Sequence, residues 1–299
     1  MKAREPKGLH PKNKHLSGYD FPKLMEVLPA LKEFVAPNKY GNLSINFADS
    51  KAVKTFNRAL LKSDYAINYW EFPDENLCPP IPGRVDYLHY LSDLVSSDKG
   101  TVLDIGTGAT CIYPLLGTTL SNWNFVATDI DQKTLDIAEN IIQENQLEER
   151  IILQFQEDEN HIFKGIIREE DRFIASVCNP PFYKSAEEAA GANNRKLKGL
   201  GLKNDPNKRN FSGNNNELWY VGGEKAFIHT YLYESSFFKE NCCWFTTLVS
   251  NKDHLQSMYT SLKKLGATEV KTIPMIQGNK VTRVVAWSFL TEKERNAFG

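Results

Sequence analysis

No apolar run in this chain approaches the ~18 residues that a membrane-spanning helix needs. No apolar stretch follows the basic segment 1–15, so a secretory signal is not expected there. Cysteine is scarce. Cys78, Cys111, Cys178, Cys242 and Cys243 form no C-x-x-C pair, which argues against a zinc ribbon or a disulfide scaffold, and no metal is expected. No internal repeat is evident. What is present is an ordinary globular balance, 41% hydrophobic and 24% charged, which excludes a disordered, collagenous or coiled-coil chain. At 299 residues there is room for one large domain or two smaller ones. A soluble protein of a reducing, cytoplasmic setting is expected, with no membrane partner.

The net charge of -1 hides an asymmetry. Residues 1–62 hold 12 Lys/Arg against 5 Asp/Glu, and the remainder holds 24 against 32. A basic arm for a polyanion, joined to a more acidic body, would have this distribution.

The first 19 residues are polar and basic, with Pro6, Pro11, Gly8 and Gly18, and no regular structure is expected there. Asp20 can cap a helix whose apolar residues Leu24, Leu28, Leu31 and Val35 recur at helical spacing, with Pro29 kinking or splitting it. Asp49 starts a second helix, and after the Pro-rich stretch 78–83 a third is expected from Arg84 to Val95. From residue 100 apolar runs at 101–105, 124–128, 150–155, 173–178, 243–249 and 282–289 alternate with helical stretches. That alternation predicts a doubly wound α/β sheet of parallel strands. The last two strands, near 268–273 and 282–289, are close enough to pair antiparallel across Gly278-Asn279. Residues 183–222 break the rhythm with a long loop carrying Lys184, Arg195, Lys196, Lys198, Lys203, Lys208 and Arg209, and a loop of this length inside a domain is usually functional or disordered.

Two motifs carry chemistry. Val102-Leu-Asp104-Ile-Gly106-Thr-Gly108 runs a buried strand into a glycine turn, and Thr110 and Cys111 follow it into a helix. Glycines let the backbone approach a ligand there, and the helix N-terminus faces it. The next strand ends at Asp129, 23 residues after Gly106, where a carboxylate can accept from both ribose hydroxyls of an adenosine-containing cofactor. NAD and S-adenosylmethionine share that ribose. Asp104 stands two residues before the first glycine and Cys111 takes the place of a third, a form that suits the methionine-bearing cofactor better. Arg84 is a candidate for its carboxylate.

The second motif is Asn179-Pro180-Pro181-Phe182 at the end of the fourth of these strands. An exocyclic amine on an aromatic ring is a poor nucleophile because its lone pair is delocalised. The Asn179 oxygen and the Pro180 carbonyl can accept both its hydrogens and turn the lone pair toward an electrophile. Phe182 offers a face on which a planar base stacks. Guanine N2 and a protein glutamine present a planar nitrogen as an adenine amine does, so the turn alone does not separate these acceptors. A non-catalytic RNA-binding protein and, more distantly, a dehydrogenase are the other classes.

The run Leu103-Asp-Ile-Gly-Thr-Gly-Ala-Thr-Cys-Ile-Tyr-Pro-Leu-Leu-Gly117, the Asn179-Pro-Pro-Phe182 turn, Gln277-Gly278 and Val285-Ala-Trp-Ser-Phe289 together resemble the RlmF family. These are bacterial 23S ribosomal RNA adenine-N6 methyltransferases, related to a eukaryotic enzyme that methylates adenine in a small nuclear RNA and in messenger hairpins. The resemblance extends from the segment His10–His15 almost to the C-terminus. It implies a Rossmann-like class I S-adenosylmethionine-dependent methyltransferase with a seven-stranded, mostly parallel sheet (residues 84–299), preceded by a basic helical RNA-binding region (residues 1–83). It implies methyl transfer to N6 of adenine 1618 of 23S ribosomal RNA with release of S-adenosylhomocysteine; the expected partner is 23S ribosomal RNA or a large-subunit assembly intermediate, and a monomer is expected. By motif match Arg84, Asp104, Gly106, Gly108, Thr110, Asp129 and Asn160 would hold the cofactor, and Asn179, Pro180 and Phe182 the flipped base. Lys12, Lys14, Arg195, Lys196 and Arg283 are candidate RNA contacts. His161, His229 and His254 are read as surface or packing residues, and Cys242-Cys243 as strand packing.

Overall fold

The computed structural model describes residues 8–95, 97–181, 183–185, 187–188, 219–277 and 280–298. Asp20 caps α1 (Phe21–Val27), accepting from the Lys23 amide at 3.1 Å. Pro29 splits the expected helix: the chain tightens into a 3-10 turn over Pro29–Glu33. Val35 leaves the helical face altogether and pairs with Ile45 in a two-stranded ribbon, β1 (Val35–Pro37) with β2 (Leu43–Ile45). Asp49 caps α2 (Ser50–Tyr65) through the amides of Lys51 and Ala52. The third helix, α3 (Ile81–Leu94), starts three residues before Arg84, because Pro82 in the first turn forfeits no helical hydrogen bond.

Beyond residue 98 the expected alternation is present. The strands are β3 (Lys99–Ile105), β4 (Asn122–Asp129), β5 (Ile151–Phe155), β6 (Phe173–Cys178), β7 (Cys242–Val249), β8 (Glu269–Gln277) and β9 (Lys280–Ser288). Between and after them come α4 (Ile112–Leu120), α5 (Gln132–Glu144), α6 (Gly223–Ser235), α7 (Leu255–Leu265) and α8 (Glu292–Asn296). The sheet order is β5-β4-β3-β6-β7-β9-β8, parallel except that β9 runs antiparallel to both its neighbours. The Gly278-Asn279 turn lies outside the described residues. β3 has β4 on one side and β6 on the other, so the chain reverses its winding there and opens a crevice at the carboxyl ends of the two strands.

Successive residues of each strand feed opposite faces, as a pleated strand requires. Val102, Trp244 and Ala286 join one buried cluster, while Leu103, Phe245 and Trp287 join the other. The first cluster also takes in Phe21, Phe56, Leu60 and Trp70, so the N-terminal helices are built on the same core as the sheet. Residue 83 itself lies inside α3. On this face a Cβ at Gly117 would come within 2.2 Å of the Phe125 ring; only glycine lets α4 seat directly on β4. Among the described residues no helix is long and apolar enough to cross a membrane.

The N-terminal segment 8–19 is ordered by its own polar residues. Buried His10 donates its amide N–H to Asp86 (2.9 Å) and places its Nε2 against Asp93 (2.9 Å). Buried Asn13 donates to the Pro82 carbonyl (2.9 Å) and to Asp86 (2.5 Å), and His15 meets the Tyr65 hydroxyl at 2.9 Å. Residues read from sequence as a loose basic arm thus form a strap across α3. Their polarity serves specific partners rather than solvent, which charge counting does not distinguish.

Candidate active site

The crevice at the strand ends is a cleft of about 1110 Å³, open mouth included, walled by Arg84, Gly106, Thr107, Gly108, Thr110, Asp129, Asn179 and Pro181, among others. Its floor is the glycine turn. Gly106 and Gly108 take left-handed φ values of +72° and +66°, which cost glycine little. They allow the amides of Gly106 and Thr107 to share the Thr128 carbonyl (3.0 and 2.9 Å). A Cβ at Gly106 would meet nothing within 4 Å, so the turn presents bare backbone to open space. Trp70, brought in by the N-terminal half, donates its indole N–H to the Thr110 carbonyl at 2.9 Å and props the turn from behind.

Asp129 stands at the end of β4, its two oxygens accepting from the amides of Gly108 (3.0 Å) and Asp131 (3.1 Å). Arg84 reaches across from α3. Its Nη1 donates to the Tyr113 hydroxyl at 2.9 Å, while its buried Nε has no hydrogen-bond partner. Asp104, 1% exposed, lies beneath the turn and does not line the cleft. Burial lifts its carboxyl from 3.8 to about 7; the nearby Asp129 adds to the rise, while the Thr107 hydroxyl and Arg84 oppose it. Neither Asp104 oxygen makes a hydrogen bond of regular geometry.

Asn179 caps β6, where a buried polar ladder fixes the strand end. Tyr231 donates to the Thr246 carbonyl (3.1 Å) and its hydroxyl oxygen lies 2.8 Å from the Ser176 hydroxyl. Thr246 donates to the Ser176 carbonyl (2.6 Å), so Tyr87 donates to Thr246 (2.7 Å) and accepts from the Cys178 amide (3.3 Å). Burial holds both tyrosine hydroxyls far above their ordinary range, so they stay neutral donors. Above this ladder the Asn179 Oδ1 is buried and unbonded. A lone buried acceptor costs about 1–3 kcal/mol, and such groups in a cleft are completed by what binds there.

Of the sequence candidates, Arg84, Gly106, Gly108, Thr110, Asp129 and Asn179 converge on this cleft. Pro180 is buried behind the wall, next to Pro181, which lines it. Asn160 is not brought in: it is exposed and both its amide and its side chain turn to Asp158 at 2.9 Å. Arg283 pairs with Val249 at the carboxyl end of β7, on the same edge of the sheet but outside the cleft wall. Lys12 is held by Asp93 (2.8 Å) and Lys14 by the Asp64 carbonyl (2.6 Å). Phe182, Arg195 and Lys196 lie outside the described residues.

Several wall residues escaped sequence reading. His161, read as surface or packing, lines the cleft and is fixed by buried Glu234 at 2.7 Å. The same carboxylate accepts from the amides of Ile162 (2.9 Å) and Phe163 (2.8 Å). Gln156, Tyr113, Trp219, Tyr220 and Phe227 also line the cleft. For Gln156 and His161 the available signal was position, just past the carboxyl end of β5; for the aromatic residues there was none.

The sequence matches the family described as RNA methyltransferase over residues 3–291. It is 48% identical to Ribosomal RNA large subunit methyltransferase F of Shewanella loihica, over 98% of this chain and 81% of that protein. It is 49% identical to the protein of the same name from Shewanella baltica strain OS223, over 97% and 83%. The fold superposes on the hMettl16 catalytic domain in complex with MAT2A 3'UTR hairpin 1 with a TM-score of 0.83 and 30% identity, covering 96% of this chain and 97% of that one. The N-terminal domain of human METTL16 in complex with SAH gives 0.77 and 28%, over 95% and 100%. Superposition on these neighbours assigns this chain the class I methyltransferase fold, in which its own reversed strand, β9, lies between β7 and β8. A match across nearly the whole chain, on a cleft whose floor and wall are the motifs themselves, places this protein in the RNA methyltransferase family as an rRNA methyltransferase.

Proposed function

We infer that the protein transfers a methyl group from S-adenosylmethionine to N6 of one adenine in 23S ribosomal RNA, adenine 1618, acting as a cytoplasmic monomer on the free RNA or a large-subunit assembly intermediate. The observation that carries this reading is the buried, unbonded Asn179 oxygen beside two prolines, in the same cleft as the glycine turn and Asp129.

The cleft fits the cofactor. Asp129 stands where ribose hydroxyls would be held, the Gly106–Gly108 backbone leaves space for a ligand to lie against it, and the free Nε of Arg84 suits a carboxylate. When bound, S-adenosylmethionine supplies a methyl group already activated on a sulfonium. The chain's own contribution is positioning. Asn179 Oδ1 and the Pro180 carbonyl accept the two hydrogens of the exocyclic amine and turn its lone pair out of the ring plane, with Phe182 as the stacking face. An amide is no base, so the proton left on nitrogen departs to water. Reaching this depth requires the target base to leave its stack. Arg283, the 195–209 basic loop, Lys12 and Lys14 would contact phosphates and supply affinity with little sequence choice.

Purified protein, labelled S-adenosylmethionine and unmodified 23S transcript, followed by digestion to nucleosides, tests the reading. Label in N6-methyladenosine, abolished by Asn179→Ala, is expected. Label in N2-methylguanosine overturns the acceptor. Absence of label on both the transcript and a large-subunit assembly intermediate overturns the reaction.

A further inference from the structure

Asn179 is not the only unsatisfied polar group facing the cleft. Trp219 also lines it, and its indole Nε1 is buried with no hydrogen-bond partner. Buried indole donors ordinarily find an acceptor; Trp70 does so on Thr110 and Trp287 on Ser235 (2.9 and 3.0 Å). Among the described residues with a fully buried indole nitrogen, the tryptophan in the cleft is the one without a partner.

Trp219 belongs to the target end of the cleft rather than the cofactor end. It forms a parallel bridge with Tyr183, four residues beyond Asn179, and the Tyr220 amide donates to the Tyr183 carbonyl at 3.0 Å. The next residue is locked in turn, since Tyr220 stacks edge-on against Phe227 of α6 at 5.3 Å. Arg84, the glycine turn and Asp129 come instead from α3, β3 and β4. The target end therefore presents one unbonded acceptor, the Asn179 oxygen, and one unbonded donor, the Trp219 indole.

That pair suits an amine attached to a ring carbon next to an unprotonated ring nitrogen. Adenine N6 has N1 on one side and, across the ring junction, N7 on the other, both acceptors. Resting on the adenine reading above, we propose that Trp219 is a specificity-determining residue: its indole N–H donates to N1 or N7 of the flipped adenine while Asn179 holds N6. A site built to hydrogen-bond a substrate atom discriminates strongly against analogues that lack it.

The test combines one conservative variant with two substrates altered at a single atom. Trp219→Phe keeps an aromatic ring and removes the donor. RNA carrying 1-deazaadenine or 7-deazaadenine at the target removes one acceptor each. On the ordinary RNA, Trp219→Phe is expected to lower kcat/KM about ten- to a hundredfold, with S-adenosylhomocysteine affinity unchanged. One deaza substrate should lose a comparable factor with the wild-type enzyme and lose nothing further in the variant, because the same hydrogen bond has already gone. If both deaza substrates react like adenine with the wild type, the proposal fails without reference to any variant. It also fails if Trp219→Phe slows all three substrates equally, the mark of packing alone. A wild-type enzyme that methylates no adenine sinks the adenine reading and this proposal together, whereas a failed deaza comparison on an active enzyme sinks only the latter.

Discussion

The strap at residues 8–19 and the cleft at the strand ends are both rich in polar side chains, yet they are in opposite states. In the strap, His10, Lys12, Asn13, Lys14 and His15 all have partners, on α3, on Asp64 and on Tyr65. In the cleft, the Arg84 Nε, the Asn179 Oδ1 and the Trp219 Nε1 have none. Groups already bonded within the fold contribute to stability; groups left bare at a cleft are available to a ligand. Position in the chain and net charge do not separate these states, and hydrogen-bond partners do.

The contrast breaks if variants in the two regions behave alike. Asn179→Ala is expected to lower methyl transfer about 10²–10³-fold, in line with loss of one positioned polar group at a reacting centre. Cofactor affinity and the urea midpoint should scarcely move, since no folded-state bond is lost. Asp86→Ala, on α3 beneath the strap, should instead lower the urea midpoint. It removes the acceptor of the His10 amide and the Asn13 side chain, and about 2–4 kcal/mol of stability should go with it. Because Asp86 lies two residues from Arg84 on α3, a modest loss of S-adenosylhomocysteine affinity should accompany the lower urea midpoint. An unchanged midpoint in Asp86→Ala would mean that the strap is not structural.

This division explains how much could be read from sequence. The sheet strands beyond residue 98 were legible because apolar runs and alternation leave few arrangements. Gly106, Asp129 and Asn179 were legible because they occupy carboxyl ends of strands, where an open α/β sheet binds its ligands. The strap is not legible from sequence because His10, Asn13 and His15 are polar residues buried by partners 50–83 positions away in the chain, and no local pattern records such pairing. Asn160 is pointed to as a cofactor contact by resemblance alone, whereas locally it completes a turn on Asp158. Glu234 and Trp219 give no signal, since neither lies in a motif and each is tied to the cleft by contacts distant in the chain.

A smaller effect tests the electrostatics beneath the cleft. Burial raises Asp104 from 3.8 to about 7, so the folded state holds its proton more tightly than the unfolded chain does. Its contribution to stability is then full below about pH 4 and is lost as pH rises through about 7. Urea midpoints of the wild type should fall between pH 5 and pH 8. In Asp104→Asn, which cannot ionise, the fall should be shallower. Parallel declines in the two proteins would assign the pH dependence elsewhere.

The smallest expected effect concerns the lysine on which the two regions would compete. Lys12 is 60% exposed and its ammonium lies 2.8 Å from Asp93, itself 49% exposed, a pair worth about 0–1 kcal/mol. Such a partner is weak enough for a phosphate to displace, but Asp93 also faces His10, so removing Lys12 leaves that carboxylate partly compensated. Arg283 differs. Among the described residues its side chain makes only a long hydrogen bond, 3.4 Å to the Val281 carbonyl, and it stands at the active edge of the sheet. Each full phosphate contact contributes about 0.7–0.9 to the slope of log affinity against log salt. Arg283→Ala should therefore lower the slope for 23S RNA by about that amount. Lys12→Ala should lower it by distinctly less, because part of its charge is already neutralised by Asp93. Equal losses from both variants would show that the strap's lysine is as free for RNA as the arginine at the cleft's edge, and would narrow the contrast to the buried residues His10, Asn13 and His15.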